Sequence, residues 1–249
     1  YEYMGPAWYQ REIEIPAAWK GKRIFLYFER THWLSSVYVG KEEVSKIDYI
    51  SIPHNHELTQ WLHPGKKELI TFCIDNRYQY DTHKWDHAHS EFTQINWNGV
   101  LGEIKLVAVD PVYVDDMQVY PDIKNKSIKV KMTVRNCTEH TASGKISFHV
   151  TGKDYRLQKE VPVTVTDSIT YIEEEMFLGK DIHLWNEFHP NLYTLDCKLT
   201  SSVEGQSYAH EKSTTFGMRE VEAGEDRNGN EITGDFSFIE ELTATARQL

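Results

Sequence analysis

The densest run of chemistry-bearing side chains is Asp81, His83, Asp86, His87, His89 and Glu91. Imidazoles and carboxylates are both metal ligands, and three histidines within seven residues have the reach to share an ion. The same run reads more simply as a polar surface loop. That is the reading adopted, so no metal and no cofactor is expected. A second group, His54-Asn55-His56-Glu57, sets its histidines two apart. The helical His-Glu-x-x-His arrangement needs them four apart on one face, so this group is read as the turn after Pro53. Glu173-Glu174-Glu175 offers neighbouring carboxylates but reads as a solvated strand edge or turn, and Asp115-Asp116 as a turn or strand start. The sequence contains neither a Gly-rich phosphate loop nor a Gly-x-Ser-x-Gly elbow.

The chain that must position these groups has 249 residues, enough for two ordinary domains. It is 40% hydrophobic and 26% charged, the balance of a chain with a packed core. A formal net charge of -11 repels phosphate backbones, so nucleic acid is not an expected partner. No stretch approaches the roughly 18 apolar residues of a membrane span, so no membrane partner is expected either. Cys73, Cys137 and Cys197 are odd in number and widely spaced. They give no disulfide framework, and Cys73 and Cys197 read as small core residues. The chain opens at Tyr1 without a Met or a leader. The expectation is a processed or cut chain of bacterial, periplasmic or extracellular address.

Period-two alternation dominates the sequence. Ile24, Leu26 and Phe28 line one side of a run, as do Ile70, Phe72 and Ile74, and then Ile104 and Leu106. Between Ser127 and Arg135, Ile128, Val130, Met132 and Val134 alternate with Lys129, Lys131, Thr133 and Arg135. Such strands bury one face and wet the other. Lys20-Gly21-Lys22, His63-Pro64-Gly65-Lys66, Ser143-Gly144-Lys145 and Glu204-Gly205 punctuate them as turns. Many short strands without long helical periodicity predict an all-β protein of packed sandwiches. A boundary is expected at Asp110-Pro111, giving domains over 1–110 and 111–220. The tail, 221–249, looks loop-like through Gly224, Asn228-Gly229 and Gly234. Ser237 with Glu240 then forms a capping-box match ahead of a short helix.

Several segments, in order, resemble family-2 glycoside hydrolases. Gly5-Pro6-Ala7-Trp8-Tyr9-Gln10-Arg11 resembles the opening of that family's sugar-binding domain, and Trp19 to Ile24 with Leu26 to Arg30 its next strand pair. Pro53-His54, Glu57-Leu58-Thr59 and Leu62-His63-Pro64-Gly65-Lys66 resemble its Pro…Asp-Leu-Thr…Pro-Gly stretch. Trp97-Asn98-Gly99-Val100 with Gly102-Glu103-Ile104 resembles its closing strand. Asn191-Leu192-Tyr193-Thr194-Leu195 and Phe216-Gly217-Met218-Arg219 resemble the end of its second domain. Val39-Gly40-Lys41 lacks the family's Asn-Gly, and after Glu220 only Asn228-Gly229 follows its pattern.

The resemblance implies a galactose-binding-like jelly roll followed by an immunoglobulin-like β-sandwich. It also implies a β-glycoside as the carbohydrate partner, and a catalytic barrel that this chain has no room for after residue 220. Retaining hydrolysis needs two carboxylates about 5–5.5 Å apart. In the family these lie on a barrel of roughly 250 residues, so the chain alone is expected to be inactive. Its implied role is to support the barrel, shape sugar access and take part in contacts between copies. In the family the loop before the closing strand helps form the sugar subsite. That points to Asp86, His87, His89, Glu91, Asn96, Trp97 and Asn98, with no catalytic residue among them. Asn96 and Asn98 are expected to be exposed, and Trp97 is read as a core residue before a stacking platform. Gly99 and Gly102 are expected to serve backbone geometry. The competing readings are a free-standing carbohydrate-binding module, and an adhesive two-sandwich protein without a sugar site.

Overall fold

The alternation folds as strands throughout. A computed structural model describes residues 3–49, 52–77, 97–225 and 231–235. The chain divides into two compact units, Tyr1–Asp110 and Pro111–Leu249. The first holds β1 (Pro6–Glu14), β2 (Arg23–His32), β3 (Leu34–Val39), β4 (Glu42–Ile47), β5 (His54–Glu57), β6 (Lys67–Asp75) and β7 (Gly99–Val109), with a 3-10 turn at Ala17–Trp19. Two antiparallel sheets form, in the orders β1-β6-β3-β4 and β5-β2-β7. Ile24, Leu26 and Phe28 from one sheet meet Val37, Ile70 and Ile74 from the other, all buried. Burying side chains of this size stabilises by about 1.5–3 kcal/mol each. Ile104 departs from the expected pattern and is largely exposed, while Leu106 packs on the core. Ile104 stands on β7, an edge strand that no further strand covers among the described residues.

The second unit holds β8 (Val112–Asp122), β9 (Ser127–Asn136), β10 (Ala142–Thr151), β11 (Arg156–Val165), β12 (Ile169–Phe177), β13 (Leu192–Val203), β14 (Gln206–Gly217), β15 (Val221–Glu225) and β16 (Glu231–Asp235). Sheets β12-β9-β8 and β11-β10-β13-β14 enclose a continuous apolar core. In β9 the inward residues Ile128, Val130, Met132 and Val134 are all buried, and Lys129 and Lys131 are exposed. Asp115-Asp116 falls near the start of β8, and Glu173-Glu174-Glu175 on the edge strand β12. Glu204 and Gly205 both take positive φ, 48° and 86°, between β13 and β14. Their mirror-image turn matches the twist of the strands it joins. Cys73 and Cys197 are buried free thiols, and Cys137 is exposed.

The tail needs one correction. Residues 221–225 and 231–235 pair as an antiparallel hairpin rather than a loop. Glycines at Gly224 and Gly234 weaken a strand's apolar signature without preventing backbone pairing. The short helix expected from Ser237 lies outside the described residues.

Candidate functional site

Segment 81–98 is bounded by two strand ends, and the geometry of those ends is well defined. Asn76 follows β6 directly and is almost fully buried. Its Nδ2 donates to the Tyr3 carbonyl at 2.9 Å and to the Trp97 carbonyl at 3.2 Å. Its Oδ1 accepts the Gly5 N–H at 2.9 Å. One side chain thus ties together the entry to β1, the exit of β6 and the entry to β7. On the β7 side, Asn98 Nδ2 donates to the Gly5 carbonyl at 2.7 Å. His32, at the end of β2, places Nδ1 3.0 Å from the Trp97 carbonyl and its ring 5.1 Å from the indole.

Of the seven candidate residues, Asp86, His87, His89, Glu91 and Asn96 lie outside the described residues, as do Asp81 and His83. Trp97 and Asn98 are both half-buried. Asn98 is therefore not the exposed side chain expected, because its amide is spent on Gly5. Its Oδ1 is buried without a hydrogen-bond partner. An orphan acceptor of this kind costs about 1–3 kcal/mol. Sequence reasoning missed Asn76 and His32. Their partners lie as far as 73 residues away, and no local pattern announces them.

Just inside β7, Gly102 takes φ +82°. The Glu29 carboxylate lies against the space a Cβ would fill, and its Oε2 accepts the Glu103 N–H at 2.9 Å. The β2–β7 register shifts between Phe28 and Arg30, which brings Glu29 there. Gly102 does serve backbone geometry.

His54-Asn55-His56-Glu57 is not a turn but strand β5, paired with β2. Opposite Phe28 and Leu26, His54 and His56 face the core and are fully buried. His54 Nε2 lies 2.8 Å from the Tyr49 carbonyl, which can only accept, so that nitrogen carries the proton. Ser35 Oγ lies 2.6 Å from His54 Nδ1 and 2.8 Å from His56 Nε2. Ser45 Oγ lies 2.8 Å from His56 Nδ1. With Ser45 donating to His56, His56 to Ser35 and Ser35 to His54, every member is satisfied and both rings are neutral. Burial holds the His54 pKa below its ordinary value and pushes that of His56 down to about 3. These histidines are a satisfied polar core. Among the described residues no group of three or more His, Cys, Asp or Glu side chains is arranged to hold a metal ion. No helix there is long and apolar enough to cross a membrane.

Comparison with known proteins places this geometry in context. Residues 112–219 match the family described as glycosyl hydrolases family 2. A β-galactosidase from Thermoanaerobacter pseudethanolicus is 22% identical over 205 residues, covering 82% of this chain and 27% of that protein. A β-glucuronidase from Paenibacillus borealis is 22% identical over 224 residues, covering 84% of this chain and 35% of its own length. This chain therefore spans about a third or less of such relatives. Among solved structures, a Bacteroides uniformis β-glucuronidase superposes with a TM-score of 0.71 at 16% identity, over 93% of this chain and 28% of that one. A family-2 member from Bacteroides cellulosilyticus gives 0.71 at 17% identity, over 93% and 31%. These structural matches establish the two-sandwich fold.

Proposed function

We propose, from the premise that this chain's second sandwich belongs to glycosyl hydrolase family 2, that the chain is the non-catalytic two-sandwich region of a β-galactosidase- or β-glucuronidase-type enzyme. One observation carries this reading. Similarity to such enzymes runs through both sandwiches, over 82% of the chain, instead of stopping at the family domain. In an enzyme of that class the carboxylate pair belongs to a barrel. The sandwiches then support the barrel and shape access to it. The segment before β7 would do the shaping. Asn76 and Asn98 pin its two ends, and it offers Asp86, His87, His89, Glu91 and Asn96 to sugar hydroxyls through directional hydrogen bonds.

The test is a chromogenic β-galactoside and β-glucuronide assay on the 249-residue chain, with ligand-observed NMR of methyl β-galactoside and methyl β-glucuronide alongside. The expected result is no turnover, with weak binding that Glu91→Gln and Asn96→Ala reduce. Turnover by the chain alone, or binding indifferent to both substitutions, would overturn the reading.

A further inference from the structure

A long strand edge lies open in the second unit. Sheet β12-β9-β8 ends on β12, with no further strand beside it among the described residues. The two ends of β12 show which way its backbone groups point. The Ser168 carbonyl accepts the Asn136 N–H, and the Leu178 N–H donates to the Lys126 carbonyl. Even-numbered residues therefore turn toward β9, and the pairing between them runs without a register shift. Backbone direction alternates along an antiparallel strand, so Tyr171, Glu173, Glu175 and Phe177 aim N–H and C=O at the open edge. Their side chains share the outer face, opposite to buried Met176. Tyr171 is 78% exposed and Phe177 64%. Edge backbone beside exposed aromatic rings is a template for another strand.

A second copy of this chain supplies such a strand in its own β12. In antiparallel pairing about a twofold axis, the register that sets Tyr171 against Phe177 of the second copy joins two aromatic pairs, which favours it. The same register sets Glu173 against Glu175 of the second copy, twice, and Glu174 against its own copy. Registers centred on Glu173 or Glu175 oppose that residue to itself and join no two aromatic rings. Like charges directly opposite disfavour pairing. The cations nearest these carboxylates do not lie between the two edges. Lys131, 3.2 Å from Glu173, and Lys129, opposite Glu175, both stand on β9. From β11, Lys159 pairs with Glu174 and donates from Nζ to the Glu175 carbonyl at 2.8 Å. It thereby fills an edge acceptor that a new strand would need.

We propose that Glu173, Glu174 and Glu175 guard this edge and hold β12 closed to β12 of a second copy of this chain. Without their charge the strand is a dimer interface. The inference goes beyond the reading of the preceding subsection and uses none of the residues of segment 81–98, so neither depends on the other.

Charge reversal in the 249-residue chain tests the guard, read by sedimentation velocity and amide exchange. Glu175→Lys turns both Glu–Glu pairs into Glu–Lys pairs. It should associate at least about tenfold more tightly than the parent, equivalent to ~1.4 kcal/mol. The Tyr171 and Glu173 amides, which face the open edge, should then exchange more slowly. Combining Glu173→Lys with Glu175→Lys restores like charge in both pairs and should return the parent's mass. Lys129 stands opposite position 175 on β9, so thermal unfolding is followed for each variant. If Glu175→Lys does not fold, Glu173→Gln with Glu175→Gln carries the same test, since removing the charge should tighten association about threefold. A folded Glu175→Lys chain that keeps the parent's mass overturns the proposal, as does an unchanged mass in the glutamine pair. Association that survives the double reversal also overturns it, because charge then does not decide the pairing. Association that leaves the Tyr171 and Glu173 amides exchanging at the parent's rate assigns the contact to another surface and overturns it too.

Discussion

The two sandwiches bury different kinds of side chain. The first encloses His32, His54, His56, Asp75 and Asn76 together with its apolar core. Among the described residues of the second, the buried polar side chains are Ser127, Asn136, Ser147, Asn186 and Ser201, none of them a His, Asp, Glu, Lys or Arg. A core of aliphatic and aromatic groups answers mainly to shape, since its packing is close and has no charge state. A core that holds imidazoles also answers to pH, because burial disfavours their charged form. Among the described residues, the buried imidazoles and the buried carboxylate all lie in the first unit.

The largest expected effects should not distinguish the units, which makes them the control. Phe28→Ala in the first and Phe148→Ala in the second each empty a fully buried site and should cost about 3–5 kcal/mol. Urea unfolding followed through resolved NMR signals of each unit measures both. If either substitution melts the two units together with one midpoint, the comparison between separate units fails at its root.

Buried asparagines come next. Asn76→Ala strands the Gly5 N–H and the Tyr3 carbonyl, and leaves the Trp97 carbonyl to His32 Nδ1. Asn136 plays the matching part in the second unit. Its Nδ2 reaches the His140 and Val165 carbonyls at 2.9 and 3.2 Å, and its Oδ1 accepts from the Thr138 backbone and hydroxyl. Either substitution should cost about 2–3 kcal/mol, since orphaned buried groups carry their full desolvation penalty. Only Asn76→Ala should loosen the ends of segment 78–96, visible as faster amide exchange at Gly5 and Trp97. Equal exchange in both variants would erase the functional side of the contrast.

Acid should then separate the units directly. His56 is neutral in the folded chain with its pKa near 3, against an ordinary value of 6.5. Below pH 6.5 the unfolded chain therefore binds a proton that the folded chain refuses. Stability rises with pH wherever the unfolded state binds more protons. The contribution is full above pH 6.5 and is lost as pH falls toward 3, by about 2 kcal/mol between pH 6.5 and 4.5 for this one ring. His54 shifts in the same direction and adds to the loss. Urea midpoints of the first unit should fall across that window more than those of the second, and His56→Gln should flatten the slope. Parallel slopes in both units would refute the assignment.

What the sequence made legible follows from these contrasts. From Ile128 to Arg135 in β9 each inward residue is apolar and each outward one polar or charged, so alternation alone locates the strand and its buried face. In β5 the inward residues are His54 and His56, and hydrophobic periodicity cannot register a strand whose core side is polar. Their partners Ser35 and Ser45 arrive from β3 and β4, paired by topology and invisible to spacing. The candidate site was legible only as a polar run between two recognisable strands. The asparagines that fix its ends depend on strand pairing, which brings together residues more than sixty positions apart, as at Pro6 and Asp75.

The smallest predicted effect is the most pointed. Asn98→Ala gives up one hydrogen bond, from Nδ2 to the Gly5 carbonyl, worth about 1 kcal/mol. It also removes a buried Oδ1 that has no partner, and relieving that desolvation returns a similar amount. The two terms oppose, so stability should change by no more than about 0.5 kcal/mol, far less than for Asn76→Ala at the other end of the same segment. A fully satisfied asparagine loses stability on truncation, and an asparagine kept at no net gain serves something besides the fold. If Asn98→Ala proves as costly as Asn76→Ala, both are clamps and the unpartnered oxygen has no ligand to await. If it is neutral in urea yet weakens methyl β-galactoside or methyl β-glucuronide binding, the Oδ1 is the acceptor that a sugar hydroxyl completes.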